Sequence, residues 1–159
     1  MAYKIKAEPG YIRAELRGRE TVEETQEFLR AVVRASAKHR HPCILISVRL
    51  SKPVFQVAAH RLIEYFAELS GEVARRIALV GDTRDLHMSH EYIELLARQR
   101  GLDVHSFGNE TAALEWLKSQ SQAERSRQRE ERRERRDRRQ LGERRRQERR
   151  AGTTALQPA

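Results

Sequence analysis

The stretch CILISVRLSKPVF, residues Cys43 to Phe55, decides the fold class. Its first six residues are a nearly continuous apolar run that contains Ile and Val, which is typical of a strand buried on both faces. The run ends at Arg49 and passes through a Ser/Lys/Pro turn. Apolar residues then recur at the spacing of an amphipathic helix: Phe55, Ala59, Leu62, Ile63 and Phe66. Strand, turn and helix in this order predict a unit of a parallel α/β sheet.

The N-terminus predicts a β-hairpin. Residues Tyr3 to Glu8 and Tyr11 to Leu16 have alternating apolar positions. Between them, Pro9-Gly10 suits a type II turn, because Pro fixes φ at the second turn position and Gly accepts a positive φ at the third.

A helix is predicted next, from Val22 to Lys38. Thr21 and Glu24 have the spacing of a capping box, in which each side chain accepts from the other residue's backbone N–H. The apolar residues that follow form a single stripe, so this helix covers one face of the sheet.

Two more strand–helix units follow the central stretch. The predicted strands are Ile77 to Val80 and Val104 to Phe107. Ser89 is the predicted cap of the third helix, whose inward residues are predicted to be Tyr92, Ile93 and Leu96. Gly101 is well placed as the C′ residue of that helix. Asn109 is the predicted cap of a last helix, which carries Ala113, Leu114, Trp116 and Leu117.

The predicted order is therefore ββαβαβαβα. It indicates an α/β fold with a mixed, mostly parallel five-stranded sheet, an N-terminal hairpin, four helices and a charged C-terminal tail. Right-handed crossovers place helices on both faces of such a sheet.

Charge separates this domain from the tail. The last 41 residues hold 14 of the 32 Lys and Arg residues and 7 of the 23 acidic residues, so they carry +7 of the net charge of +9. Residues 119–150 contain no aromatic and no β-branched side chain, too little apolar surface to offset chain entropy. We predict an α/β domain over residues 1–118 and a low-complexity Arg/Glu-rich tail over residues 119–159, disordered or a solvated helix, with its last eight residues disordered.

Composition also limits the cellular setting. Cys43 is the single cysteine, so the chain can form no internal disulfide. The N-terminus lacks the apolar segment of a secretory signal, and no apolar run approaches the roughly 20 residues of a membrane helix. These features predict a soluble cytoplasmic protein without a membrane span.

The order of elements and four stretches resemble the bacterial STAS-like domains, the family of anti-sigma-factor antagonists that is grouped with the Sec14-type lipid-binding fold. The stretches that carry the resemblance are YKIKAEPGYIRAEL, CILISVRLSKPVF, RIALVGDTRD and YIELLARQRGLDVHSFGNETAALEWL. The resemblance covers residues 3–117 and implies a regulatory binding module. In the regulatory members, a kinase phosphorylates a Ser or Thr in the turn after the strand that corresponds to Cys43–Val48.

Ser51 is the candidate phospho-acceptor that the resemblance implies. The family's acceptor follows an Asp and precedes a nearby Gly, whereas Ser51 lies between Leu50 and Lys52. The alternative is a structural role for Ser51, as a helix N-cap or turn former before Pro53.

A second candidate is an anion- or ligand-binding turn at the carboxyl ends of the parallel strands, where open α/β sheets bind ligands. Its residues are Arg49, Ser51, Lys52, Asp82 and Thr83. A helix N-terminus after Lys52 would add to the attraction for a phosphate or a lipid head group. The alternative is that these are solvated turn residues.

No enzyme signature is present. The pairs His39/His41 and His87/His90 have no partnering cysteine and no HExxH context, and no Gly-rich phosphate loop occurs. The sequence predicts no catalytic residue, no metal and no cofactor.

The tail is a candidate nonspecific anion-binding arm for nucleic acid or anionic lipid, through counterion release. Its interspersed acids and lack of aromatic residues, which removes base stacking, make the expected binding weak. The arginines assigned to it are Arg132, Arg133, Arg135, Arg136, Arg138, Arg139, Arg144, Arg145 and Arg146. The alternative is a solubilising or linker tail.

Three functions remain open at this point. The first is a non-enzymatic regulatory module with a protein partner whose identity the sequence does not give. The second is a carrier of a small anionic ligand or lipid, and the third is a nucleic-acid-associated protein that acts through the tail.

Overall fold

The computed structural model describes residues 1–57, 61–71 and 75–154, which form five strands and four helices in the order ββαβαβαβα. The strands are β1 (Ala2–Glu8), β2 (Tyr11–Arg17), β3 (Cys43–Arg49), β4 (Arg76–Gly81) and β5 (Val104–Phe107). The helices are α1 (Val22–Lys38), α2 (Leu62–Ser70), α3 (Arg84–Gln99) and α4 (Glu110–Thr154). The predicted fold class is confirmed.

The strands form a single sheet in the order β1-β2-β3-β4-β5. The hairpin pair β1–β2 is antiparallel, and the other three pairs are parallel. The turns that follow β3 and β4 therefore lie at the same edge of the sheet, next to each other.

The sheet is covered on both faces. One face of β2, β3 and β4 packs against α1, α2 and α3 through residues such as Ile46, Leu79 and Phe28. The opposite face packs against the first turns of α4 through Leu45, Ala113 and other residues of a smaller cluster. Because β3 is buried from both sides, its sequence is a continuous apolar run rather than an alternating one.

Several local predictions are confirmed. Gly10 has φ of 85° in the hairpin turn. Thr21 caps α1 with both bonds of the capping box. Gly101 follows the C-cap of α3 with φ of 71°. Asn109 accepts a hydrogen bond from the N–H of Ala112 at 2.9 Å at the start of α4.

The predicted start of the second helix is wrong. Residues 51–56 form no helix, and α2 begins at Leu62. Phe55 therefore lies outside the helix and is exposed. Ser51 is not a helix N-cap, and no helix N-terminus directly follows Lys52. Ala59 lies outside the described residues.

The predicted start of the third helix is also wrong. Thr83, not Ser89, caps α3, and its hydroxyl accepts from the N–H of Leu86 at 3.2 Å. Ser89 lies inside α3 and is buried, while Tyr92 faces solvent rather than the core. Ile93 is buried as predicted.

By its internal contacts the chain divides into the units Met1–Lys118 and Ser119–Ala159. Helix α4 begins in the first unit and continues through the second as far as Thr154, without a break at Gly142. The prediction of disorder is wrong for the helical residues 152–154, and residues 155–159 lie outside the described part.

Candidate functional site

The turn after β3, residues 49–52, has an unusual backbone. Leu50 adopts φ of 49°, in the left-handed region that a branched side chain rarely occupies. Its N–H donates to the carboxylate of Asp82 at 3.0 Å. The carbonyl of Arg49 accepts from the N–H of Gly18 at 3.3 Å. These bonds hold a strained turn whose Leu50 side chain is 74% exposed.

Arg19 fixes the other half of this turn. Its backbone N–H donates to Ser51 Oγ at 3.1 Å, and its carbonyl accepts from the N–H of Lys52 at 3.0 Å. Its guanidinium donates to the Lys52 carbonyl. Arg19 is only 5% exposed, and this burial lowers the pKa of its guanidinium to about 10, so that it stays charged at neutral pH.

Ser51 is half-buried and its hydroxyl is occupied. It donates to the Arg49 carbonyl at 2.8 Å while it accepts from the N–H of Arg19. These two bonds give Ser51 a turn-forming role. A phosphoryl group on Ser51 would have to break the bond that the hydroxyl donates.

The structure brings the five residues of the predicted anion-binding turn to one edge of the sheet. Most of their side chains, however, already have a hydrogen-bond or ion-pair partner within the protein. Arg49 pairs with Glu110 at 3.2 Å. Asp82 accepts from Leu50, and Thr83 caps α3. The ammonium group of Lys52 is exposed and forms no ion pair with the described residues. Lys52 is therefore the remaining charge at this turn for an anion.

Glu110 joins the start of α4 to two strands. Its carboxylate pairs with Arg13 at 2.9 Å and with Arg49 at 3.2 Å. Burial raises the pKa of Glu110, but the hydrogen bond and the charge of Arg13, with the charge of Arg49, outweigh it and lower the pKa below its usual value. The same bond raises the pKa of Arg13. This pairing holds the guanidinium of Arg49 at the start of α4.

A cavity of about 30 Å³ lies behind the turn, between the sheet and helices α1, α2 and α3. Its polar lining includes Arg19, Thr25, Ser89 and His90, and the remaining lining residues are apolar. His90 Nδ1 is buried without a hydrogen-bond partner among the described residues. Burial, with the charges of Arg19 and His87, lowers the pKa of His90 to about 3, so His90 is neutral near pH 7.

Helix α3 presents an apolar stripe to solvent. Met88, Tyr92 and Leu95 are all exposed. At about 100° per residue they lie on the side of the helix opposite the buried residues.

Two hydrogen bonds attach the loop that contains Val54 to α3. Ser89 Oγ accepts from the N–H of Val54 at 3.3 Å and donates to the Val54 carbonyl at 2.6 Å.

The described residues form neither a metal-binding cluster nor a membrane-spanning helix. No three His, Cys, Asp or Glu side chains of residues 1–57, 61–71 and 75–154 are grouped for a metal ion. No helix of the same residues combines the length and the hydropathy that a bilayer span requires.

Sequence reasoning missed Arg19, Leu50 and Glu110. Arg19 reads as a loop residue before the capping box, and Leu50 reads as a turn residue after the apolar run that ends at Arg49. Glu110 reads as a first-turn acid of a helix. Each acquires its role from contacts with residues 32 or more positions away, so no local pattern marks them.

A comparison with known protein families gives a match over most of the α/β unit. The family described as SpoIIAA-like matches residues 11–118. No curated protein and no solved structure gives a significant match. The match covers more than half of the sequence and includes the turn, the cavity and the α3 stripe. The chain therefore belongs to the SpoIIAA-like family of STAS-like domains, the family of anti-sigma-factor antagonists.

Proposed function

We propose that this chain is a non-enzymatic regulatory module that binds a protein partner through the turn at residues 49–52 and the adjoining part of α3. The SpoIIAA-like family suggests a regulatory module of the STAS type. The observation that carries the proposal is Leu50, an apolar side chain that a strained and hydrogen-bonded turn holds in solvent.

Strain of this kind costs about 1–3 kcal/mol and persists where the surrounding structure enforces it, which is often at binding and switch regions. Leu50 stays largely exposed within its own domain. A partner that buries Leu50 would recover roughly 1.5–3 kcal/mol of apolar transfer energy. The backbone is already fixed, so the entropy cost of ordering the turn on binding is small.

The partner's chemistry follows from the other exposed side chains of this loop and of α3. Phe55 is exposed in the same loop, and Met88 is exposed on α3 next to Ser89, which holds that loop. Lys52, which forms no ion pair within residues 1–57, 61–71 and 75–154, supplies a positive charge at the turn. We expect an apolar pocket on the partner with an acidic group at its rim that faces Lys52.

Photo-cross-linking in the source organism tests this proposal. A photoreactive amino acid at position 55 should form an adduct with one protein, and the same group at Glu27, exposed on α1, should not. The adduct at position 55 should disappear when Leu50 is also changed to Asp. An adduct that persists in L50D, or the absence of any adduct, would overturn the proposal.

Phosphorylation of Ser51 is an additional proposal within this function. Because its hydroxyl bonds to both Arg19 and Arg49, a phosphoryl group would remodel the turn that presents Leu50. Mass spectrometry of the Ser51 peptide from the source organism should find the modified form. Detection of that peptide in its unmodified form alone, across growth conditions, would count against the switch.

The alternative of a lipid or small-ligand carrier receives little support from the cavity behind the turn. Its volume of about 30 Å³ admits one or two water-sized molecules, whereas ligand pockets are about 300–1,000 Å³.

A further inference from the structure

The second unit, residues 119–154 of α4, carries a regular row of arginines. Successive members are separated by four and three residues in alternation, except where Glu143 takes one position of the row. They are Arg125, Arg129, Arg132, Arg136, Arg139 and Arg146. Arg150 continues the spacing, but it already takes part in another interaction and is not counted in the row. On an α-helix this spacing places side chains along a single line, which we call the arginine seam.

The acids of the same segment lie mostly on the other side of the helix. At about 100° per residue, Glu130, Glu134, Asp137 and Glu148 cluster about 150° round the helix from the seam. The seam arginines and these acids are all exposed. The side of the helix that carries the seam is therefore strongly cationic. We call the opposite side the acidic side; Arg127, Arg138 and Arg145 also lie there, so its charges nearly cancel.

The seam lacks the features of two other anion-binding surfaces. An interfacial membrane helix needs an apolar side, and the large apolar residue of this segment, Leu141, lies on the acidic side. Binding of single-stranded nucleic acid relies on aromatic stacking, and residues 119–154 contain no aromatic residue. A line of guanidinium groups suits a regular row of phosphates.

The dimensions match one turn of a B-form duplex. From Arg125 to Arg146 the seam is about 32 Å long at 1.5 Å per residue, close to the roughly 34 Å of one turn of DNA. We propose that the arginine seam docks on the phosphate backbone of duplex DNA, with the acidic side of the helix turned towards solvent.

Fluorescence anisotropy with the full chain and a mixed-sequence DNA duplex of 24 base pairs tests this. Six phosphate contacts give a slope of about −5 for the logarithm of the association constant against the logarithm of the salt concentration. The variant R132Q/R139Q removes two seam arginines and should change the slope to about −3.5. The matched control R138Q/R145Q removes the same charge from outside the seam and should keep the slope near −5.

The converse variant completes the seam. E143R should make the slope more negative by about one, whereas E134R, with the same charge change on the acidic side, should leave it unchanged. Circular dichroism at 222 nm checks that all variants keep their helix content, as the similar helix propensities of Arg, Gln and Glu lead us to expect.

Three results would overturn the proposal. They are equal slopes for R132Q/R139Q and R138Q/R145Q, tighter binding to an RNA duplex of the same sequence, and tighter binding to vesicles that contain phosphatidylserine as their anionic lipid, at equal charge concentration. Absence of binding to the DNA duplex at about 50 mM salt would overturn it as well.

Discussion

Mild acid should destabilise the domain through His90. The imidazole is buried beside the charged Arg19, and its pKa is lowered from 6.5 to about 3 in the folded state. Between these values the unfolded chain binds a proton that the folded domain excludes. Stability from this group is therefore fully present above pH 6.5 and is lost as the pH falls towards 3.

The size of the effect follows from these two pKa values. One excess proton in the unfolded state lowers the free energy of unfolding by about 1.4 kcal/mol per pH unit well below pH 6.5. Between pH 7 and pH 5 the expected loss is about 2 kcal/mol. Most carboxylates remain ionised in this window, which isolates the histidine contribution.

Urea unfolding of the full chain at half-unit steps from pH 7 to pH 5, followed by tryptophan fluorescence, measures this loss. The variant H90Q has no group at this position that titrates, so its loss over the same range should be smaller by about 2 kcal/mol. The slope against pH is the readout, because H90Q can also change the stability at pH 7. Equal slopes for H90Q and the parent would refute the reasoning.

Three further substitutions test the packing and the ion pairs, each by urea unfolding at pH 7. G81A should destabilise the domain by about 1–3 kcal/mol, because a Cβ there would lie 2.7 Å from Leu86 Cβ; an unchanged midpoint would contradict this. R75M should cost about 3 kcal/mol or more, because the buried Arg75 donates to three backbone carbonyls that would lose their donor, and R30M on the exposed side of α1 is the control. E110Q should cost about 1 kcal/mol at low salt and less at high salt, and a loss that does not depend on salt would show that its two arginines are not paired through charge.

The sequence predicts the sheet and α1 well because their signals are local. The apolar run at Cys43–Val48 is favourable as a strand that helices cover on both faces of the sheet. Thr21 and Glu24 satisfy each other's backbone within four residues. The hairpin turn needs a positive φ at one position, and Gly10 supplies it.

The helix starts of α2 and α3 are not predicted because long-range bonds compete with local capping. Ser89 has the chemistry of an N-cap, yet its hydroxyl bonds to Val54 across 35 positions. These two bonds satisfy the backbone N–H and the carbonyl of Val54 without a helix. Thr83 then provides the cap that Ser89 does not.

The site was only partly predictable for the same reason. The family resemblance points to the turn at Ser51, and the Ser51 hydroxyl holds the backbone of that turn through two hydrogen bonds. Its two partners, Arg19 and Arg49, come from different strand ends. The exposed side chain that the turn presents is Leu50, which the sequence pattern assigned no role.

The variant L50G tests the central claim most directly, because it separates stability from binding. Glycine relieves the left-handed strain at position 50, so the free energy of unfolding should rise by about 0.5–1 kcal/mol. Loss of the leucine contact should weaken binding of the partner identified by cross-linking at least about tenfold, measured by titration calorimetry. A more stable variant with weaker binding is the predicted result, and unchanged affinity in a stable L50G variant would contradict the account.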